Sequence, residues 1–228
     1  MINDELNYFF EDLNQENLED IITVNTRFNP IDSYVYYRVL KKYKPKRIIE
    51  IGCGYSTVIA LQTLPVEMIL IDISFGLFHN FIKNKSLKGT YTKIRGRLEH
   101  GNTDVFKILE KDDILFIDSS HKGGDVDYYL NNIFPILNDG VLVHIHDIYY
   151  NTWEYPPHVS NRKYNEMFKV KEHLSDFDIL YCTDSLSVEQ KQSLMDKLGV
   201  RNYRVKLDEL GCSLWIRKSK TIMGKAQI

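Results

Sequence analysis

The fold turns on one stretch: Arg47-Ile48-Ile49-Glu50-Ile51-Gly52-Cys53-Gly54-Tyr55-Ser56-Thr57. Its first five residues carry isoleucine on both faces of an extended segment. That is the pattern of a strand covered by helices on each side, not one with a face in water. Two glycines follow, and they let the backbone turn sharply and approach a ligand with no Cβ in the way. Ser56 and Thr57 are then suited to open a helix as caps. Strand, glycine turn and helix make the first unit of an α/β fold.

Outward from this unit the alternation repeats. Further β-rich runs are predicted at Met68–Ile71, Tyr91–Ile94, Ile114–Ile117, Val141–Ile145, Asp178–Tyr181 and Ser213–Ile216. Helices are predicted between them at Thr57–Leu64, Phe75–Lys83, Val126–Leu137, Asn165–Leu174 and Val188–Leu198. Such regular alternation implies a doubly wound, mostly parallel seven-stranded sheet. Upstream, Leu6–Ile21 and Asp32–Tyr43 read as helices, the second with Pro30 just ahead and lysines in its last turn, where they suit the dipole. No repeat or low-complexity linker divides the chain. Residues 1–228 are therefore read as one domain, with a helical extension over 1–45 and a Rossmann-like core over 46–217. Residues 149–164 (YYNTWEYPPHVSNRKY) form the one long irregular insertion, the length of a lid or binding loop.

Composition narrows the class. The 228 residues carry 29 Lys+Arg against 31 Asp+Glu, a formal net charge of −2, and 43% are hydrophobic. These values exclude a largely disordered chain and give no general attraction to nucleic acid or anionic membrane. No apolar run approaches the about 18 residues a membrane helix needs, and the acidic start lacks the features of a signal peptide. Three distant cysteines, Cys53, Cys182 and Cys212, do not suggest a disulfide framework. The expectation is a cytoplasmic protein whose partners are a small-molecule acceptor and, at most, further copies of itself.

Ligands of an open parallel sheet bind outside the carboxyl ends of its strands. The first strand ends at the glycine turn; Asp72 stands twenty-two residues after Glu50, just past the second strand. A carboxylate there can accept both hydroxyls of a ribose. Thr57 occupies the place of the third glycine of a dinucleotide fingerprint, which argues against a nicotinamide cofactor. Glu50, two residues ahead of Gly52, suits a ligand with a cationic end better than a pyrophosphate. S-adenosylmethionine has a ribose, an amino group and no phosphate.

The chain from Phe28 to about Tyr155 resembles a class I S-adenosylmethionine-dependent methyltransferase, and in particular the small-molecule family known as methyltransferase domain 24. The matching pieces are FNPIDSYVYYRVL, IIEIGCGYST, ILFIDSSHKGGDVDYYL, GVLVHIHDIYY with its following EYP, and GCSLWIRK. The resemblance implies that Glu50, Gly52, Gly54 and Ser56 hold the methionine end, Asp72 the ribose and Ile73 one face of the adenine, with Asp118 also at the cofactor. The Gly96-Arg97 turn departs from the family in lacking an acid near the adenine.

The fourth strand ends at Asp118, followed by Ser119, Ser120 and His121, and the fifth at His146-Asp147. Adjacent strand ends would bring Asp118, His146 and Asp147 together, and oxygen and imidazole groups suit a divalent cation. The arrangement is similar to metal-dependent O-methyltransferases of the catechol and macrolide-sugar types. That similarity implies Mg²⁺ or Mn²⁺ on Asp118, His146 and Asp147, with His121 as general base and Asp118 and Asp147 in the catalytic set. His144 faces the other side of its strand and reads as a core histidine. The expected reaction is O-methylation of a sugar, nucleotide sugar or surface-glycan precursor. The alternatives are a metal-independent N- or O-methyltransferase and a non-catalytic nucleotide-binding scaffold.

Overall fold

The computed structural model describes residues 28–153, 166–200 and 206–219. The predicted helix Leu6–Ile21, and residues 154–164 of the long insertion, lie outside them. The described chain forms seven strands: β1 (Arg47–Ile51), β2 (Glu67–Asp72), β3 (Thr90–Arg95), β4 (Ile114–Ile117), β5 (Leu142–Ile145), β6 (Phe177–Cys182) and β7 (Leu214–Lys218). Their order is β3-β2-β1-β4-β5-β7-β6, with β7 antiparallel to both neighbours and the pairings among β1 to β5 parallel. The doubly wound α/β sheet expected from the sequence is thus present.

The helices are α1 (Pro30–Tyr43), α2 (Tyr55–Thr63), α3 (Gly76–Ile82), α4 (Gly123–Tyr128), α5 (Glu166–Glu172) and α6 (Val188–Lys197). Strand residues alternate between two cores, as a sheet covered on both faces requires. Ile48, Phe116, Leu142 and Trp215 pack with α1, α2 and α6 on one face. Ile49, Ile51, Leu115, Ile117, Val143 and Ile145 pack with Val126, Tyr129 and Met167 on the other. Residues 30–40 of α1 are all buried, so this helix is a wall of the core and not an appendage to it.

The helix predicted over Val126–Leu137 is broken. α4 passes into a π turn at Tyr129–Ile133 and a 3₁₀ turn at Phe134–Ile136. Pro135 has no N–H and its ring crowds the carbonyl four residues back, so a regular helix cannot run through it.

Candidate active site

Register builds the site. Ile51 lies beside Ile117, and Ile117 beside Ile145, which pairs with Leu214. The residues that follow inherit this alignment: Asp118 N–H donates to the Ile51 carbonyl and His146 N–H to that of Ile117, each at 2.9 Å. Gly52, Asp118 and His146 therefore stand side by side at the carboxyl edge of the sheet.

Gly52 has φ of +83°, and a Cβ there would lie 1.8 Å from the Asp118 carbonyl oxygen. Only glycine fits. Gly54 differs: its φ of −167° is ordinary extended backbone, and a Cβ there would meet nothing within 4 Å. Nothing in the protein requires Gly54 to lack a side chain, yet it lines an open cavity.

Two cavities share Gly52, Asp72 and Asp118. The larger, about 520 Å³, is lined by Ile71, Ile73, Arg97, Glu99 and Ser119, among others. The smaller, about 330 Å³, has Phe28, Tyr55, Phe81, Asp118, His146 and Asp147 in its wall. Ile73 is 66% exposed, an apolar side chain left uncovered on the wall of the larger cavity.

Glu50 is fully buried. Ser56 donates its hydroxyl to Oε1, while Oε2 has no partner. Burial pushes this carboxyl up to about 8, with the charges of Asp118 and Asp72 adding to the rise and bonds from Ser56 and Thr57 opposing it. Ser56 thus has a structural task in holding Glu50, and Thr57 Oγ1 accepts the Gly54 N–H at 3.1 Å as a cap. Asp72 also has work inside the protein. Its Oδ2 accepts Cys53 N–H at 2.8 Å and its Oδ1 accepts Ser74 N–H at 2.9 Å, so it ties the glycine turn to β2.

His121 is the centre of the polar cluster. Its Nδ1 lies 2.7 Å from Glu166 Oε2, and its Nε2 lies 3.3 Å from Asp118 Oδ1 and 3.5 Å from Asp147 Oδ2. Burial alone would pull this imidazole down, but the bonds to Asp118 and Glu166 and the charges of Glu166 and Asp147 outweigh it and push the group up to about 10. With a carboxylate at each nitrogen, both ring nitrogens are placed to donate, an arrangement that favours a charged, positioning imidazole over the general base expected from the sequence. His121 and Asp147 also both have positive φ, 55° and 59°, a conformation that non-glycine residues hold only when their surroundings impose it.

Glu166 was not foreseen. It is wholly buried, accepts from the Tyr129 hydroxyl at 2.7 Å through Oε1, and comes from α5, beyond the long insertion. No motif surrounds it. Glu99 was missed as well: the acid absent from the Gly96-Arg97 turn stands two residues on, in the wall of the larger cavity with Oε2 buried and unpartnered. His144 matches its expectation. It is buried, stacked on Phe116 with centroids 3.9 Å apart and bonded to Ser213 Oγ at 2.8 Å, and burial holds its pKa well below the usual value. Of the aromatic residues in the insertion that are described, Tyr149 is buried in the core and Trp153 stacks at a tilt on Tyr150.

The expected metal ligands Asp118, His146 and Asp147 do not converge on a common point. The His121 Nε2 stands between the two carboxylates, and His146 turns its ring nitrogens to Cys212 Sγ, at 3.9 and 3.7 Å. These three residues do not fit Mg²⁺ or Mn²⁺ in this arrangement. S-adenosylmethionine is better matched: the open space over Gly54 and the uncovered Ile73 lie on the cavities that such a ligand would fill, and Ser56 in the wall of the smaller one holds Glu50, whose Oε2 is orphaned.

The fold is the one that class I methyltransferases share. Residues 49–148 match the family model described as a methyltransferase domain, a span that runs from β1 through the end of β5. A candidate O-methyltransferase from Klebsiella pneumoniae shares the fold with a TM-score of 0.56 at 12% identity, over 93% of this chain and 95% of that one. An S-adenosylhomocysteine-bound methyltransferase from Podospora anserina aligns with a TM-score of 0.49 at 15% identity, over 95% of this chain and 88% of the other. No curated protein sequence matches the chain. No helix among the described residues is long and apolar enough to cross a membrane.

Proposed function

We propose that this methyltransferase acts on a hydroxyl of a small polar molecule, a sugar, nucleotide sugar or glycan precursor, and does so without Mg²⁺ or Mn²⁺ on Asp118, His146 and Asp147. One observation carries the reading: a donor cavity and an acceptor cavity meet at Asp118, which an imidazolium holds in place. On the donor side, Glu50 receives the amino group, Gly52 and Gly54 admit the methionine portion, Asp72 and Ile73 meet the ribose and one face of the adenine, and Glu99 accepts from the adenine amine. Ser56 contributes by fixing Glu50. When bound, the sulfonium supplies an electrophilic methyl group.

The acceptor side has the rings of Phe28, Tyr55 and Phe81 and the carboxylates of Asp118 and Asp147 in its wall. Rings that pack on C–H faces and carboxylates that accept hydroxyls are the means of holding a sugar. Asp118 is the more exposed carboxylate, 36% against 20% for Asp147. It accepts a hydrogen bond from the attacking hydroxyl and takes its proton as that oxygen gains a carbon and becomes strongly acidic. His121 is then a positioning residue. It orients Asp118 and Asp147, and Glu166 and Tyr129 orient it. Placing the hydroxyl in line with the breaking bond supplies much of the remaining acceleration.

The test is a transfer assay with methyl-labelled S-adenosylmethionine against panels of sugars, nucleotide sugars, catechols and amines. Label moving to a sugar hydroxyl, at a rate that added Mg²⁺ or Mn²⁺ leaves unchanged, is the expected result. Transfer to nitrogen only, or a rate that requires added Mg²⁺, would overturn it.

A further inference from the structure

On the far side of Asp147 from His121 lies a second cluster that the methyl-transfer reading does not use. A carboxylate oxygen of Asp32, a ring nitrogen of His146 and the thiol of Cys212 all lie within 4.8 Å of one another, and all three residues are buried. Three separate parts of the fold deliver them. Asp32 sits in the first turn of α1, His146 follows β5, and Cys212 precedes β7. Ile148 N–H donates to the Cys212 carbonyl at 2.9 Å, fastening the last two segments together.

We propose that Asp32, His146 and Cys212 supply three of the four ligands of a tetrahedral Zn²⁺ site. Cys212 Sγ is 3.4 Å from Asp32 Oδ2 and 3.7 Å from His146 Nε2. Zinc bonds of about 2.0–2.3 Å in a tetrahedron put ligand atoms roughly 3.3–3.7 Å apart. A cation at the centre would take the Cys212 thiolate as a ligand. Sulfur, nitrogen and oxygen in one set select zinc over Mg²⁺ or Ca²⁺, which take oxygen ligands.

The outer groups suit the assignment. Thr183 Oγ1 donates to Asp32 Oδ1 at 2.5 Å and Cys212 N–H to Asp32 Oδ2 at 3.1 Å, fixing the carboxylate as outer partners of metal ligands do. Buried ligands drawn from three separate segments suit a structural ion, which would pin α1 to the ends of β5 and β7. The site stands apart from the methyl-transfer reading and is tested without S-adenosylmethionine.

The full chain, freed of metal, is titrated with Co²⁺ and then with Zn²⁺. The expected result is one equivalent of Co²⁺ with a thiolate-to-cobalt charge-transfer band, which Zn²⁺ displaces. The band persists in the Cys53→Ser, Cys182→Ser double variant, which leaves Cys212 as the one thiol, and disappears in Cys212→Ser. Thr183→Val weakens Zn²⁺ binding ~10–100-fold. If Cys212→Ser does not fold by circular dichroism, the double variant decides the matter, because its band can come from Cys212 alone. No bound equivalent, cobalt bound without the band, or a band that disappears from the double variant would overturn the proposal.

Discussion

Glu166 Oε2 and His121 Nδ1 stand 2.7 Å apart, joining a wholly buried acid on α5 to the loop after β4 across the length of the insertion. The bond makes Glu166 a partner in setting the charge of His121. Glu166→Gln removes that charge but keeps the shape, so the His121 pKa is expected to fall from about 10 toward the ordinary histidine range. Two-dimensional NMR titration of the ring reads this directly. In the transfer assay kcat drops about 10-fold or more while KM for S-adenosylmethionine stays near the wild-type value, the pattern of an interaction made in the transition state. A drop in cofactor affinity with kcat intact would mean that Glu166 acts elsewhere.

The two glycines of the first turn separate folding from binding. Gly52→Ala puts a Cβ on the Asp118 carbonyl oxygen at 1.8 Å in a left-handed conformation. The conformation alone costs ~1–3 kcal/mol and the overlap adds to it, so loss of soluble protein or a markedly lower Tm is expected. Gly54→Ala meets nothing within 4 Å, so its Tm should stay within a few degrees of wild type while S-adenosylhomocysteine binding by calorimetry weakens at least 10-fold. Equal damage to stability from both variants would refute the distinction.

Glu50 makes binding depend on pH. Its folded value of about 8 lies above its ordinary value of 4.5, so folding favours the protonated form. Its burial costs nothing below pH 4.5, costs more as pH rises from there, and reaches its full cost above about 8. Denaturant midpoints of the ligand-free protein should therefore decline from pH 5 to pH 8, and the decline should be shallower in Glu50→Gln. A cationic amino group placed against Oε2 stabilises the ionised form. Binding at pH 7 then releases a proton, seen as a calorimetric heat that changes with the ionisation enthalpy of the buffer. Glu50→Gln should abolish that dependence.

What was legible in the sequence follows from how far each signal reaches. The central strands appeared as short apolar runs because a strand buried on both faces leaves no room for polar residues, whereas β3 at the sheet edge is exposed along its length and carries Thr, Lys and Arg. Ile48 goes to one core and Ile49 and Ile51 to the other, as their spacing implies. Strand-end residues were legible for the same reason: register places Gly52, Asp118 and His146 together once the strand order is known. Glu166 was not, because its meaning lies in a contact with residue 121 that no local pattern records. The general-base role expected of His121 was read without that contact, and three carboxylates around the ring favour a positioning role instead. Asp32 entered the sequence reading only as the first residue of a predicted helix, and only the packing of α1 against the ends of β5 and β7 brings it to His146 and Cys212. The helix predicted over Val126–Leu137 passed over Pro135, whose chemistry breaks it.

Asp118 bears the heaviest demand in the proposed chemistry. It lines both cavities, its side chain is the more exposed of the two carboxylates at His121, and its backbone is locked by the bond to Ile51. Asp118→Asn preserves volume and most of the hydrogen bonding, so the protein should fold with its Tm nearly unchanged. It removes the proton acceptor, which is expected to lower kcat by 10²–10⁴-fold, the usual contribution of a general base. S-adenosylhomocysteine should still bind within about 10-fold of wild type, because Glu50, Gly54 and Glu99 are untouched. The counterpart His121→Gln should also slow the reaction, but with looser acceptor binding, since it frees Asp118 and Asp147 together without deleting either. If Asp118→Asn keeps more than half of the wild-type kcat while His121→Gln abolishes turnover, the proton goes to the imidazole, and the roles assigned to these two residues are reversed.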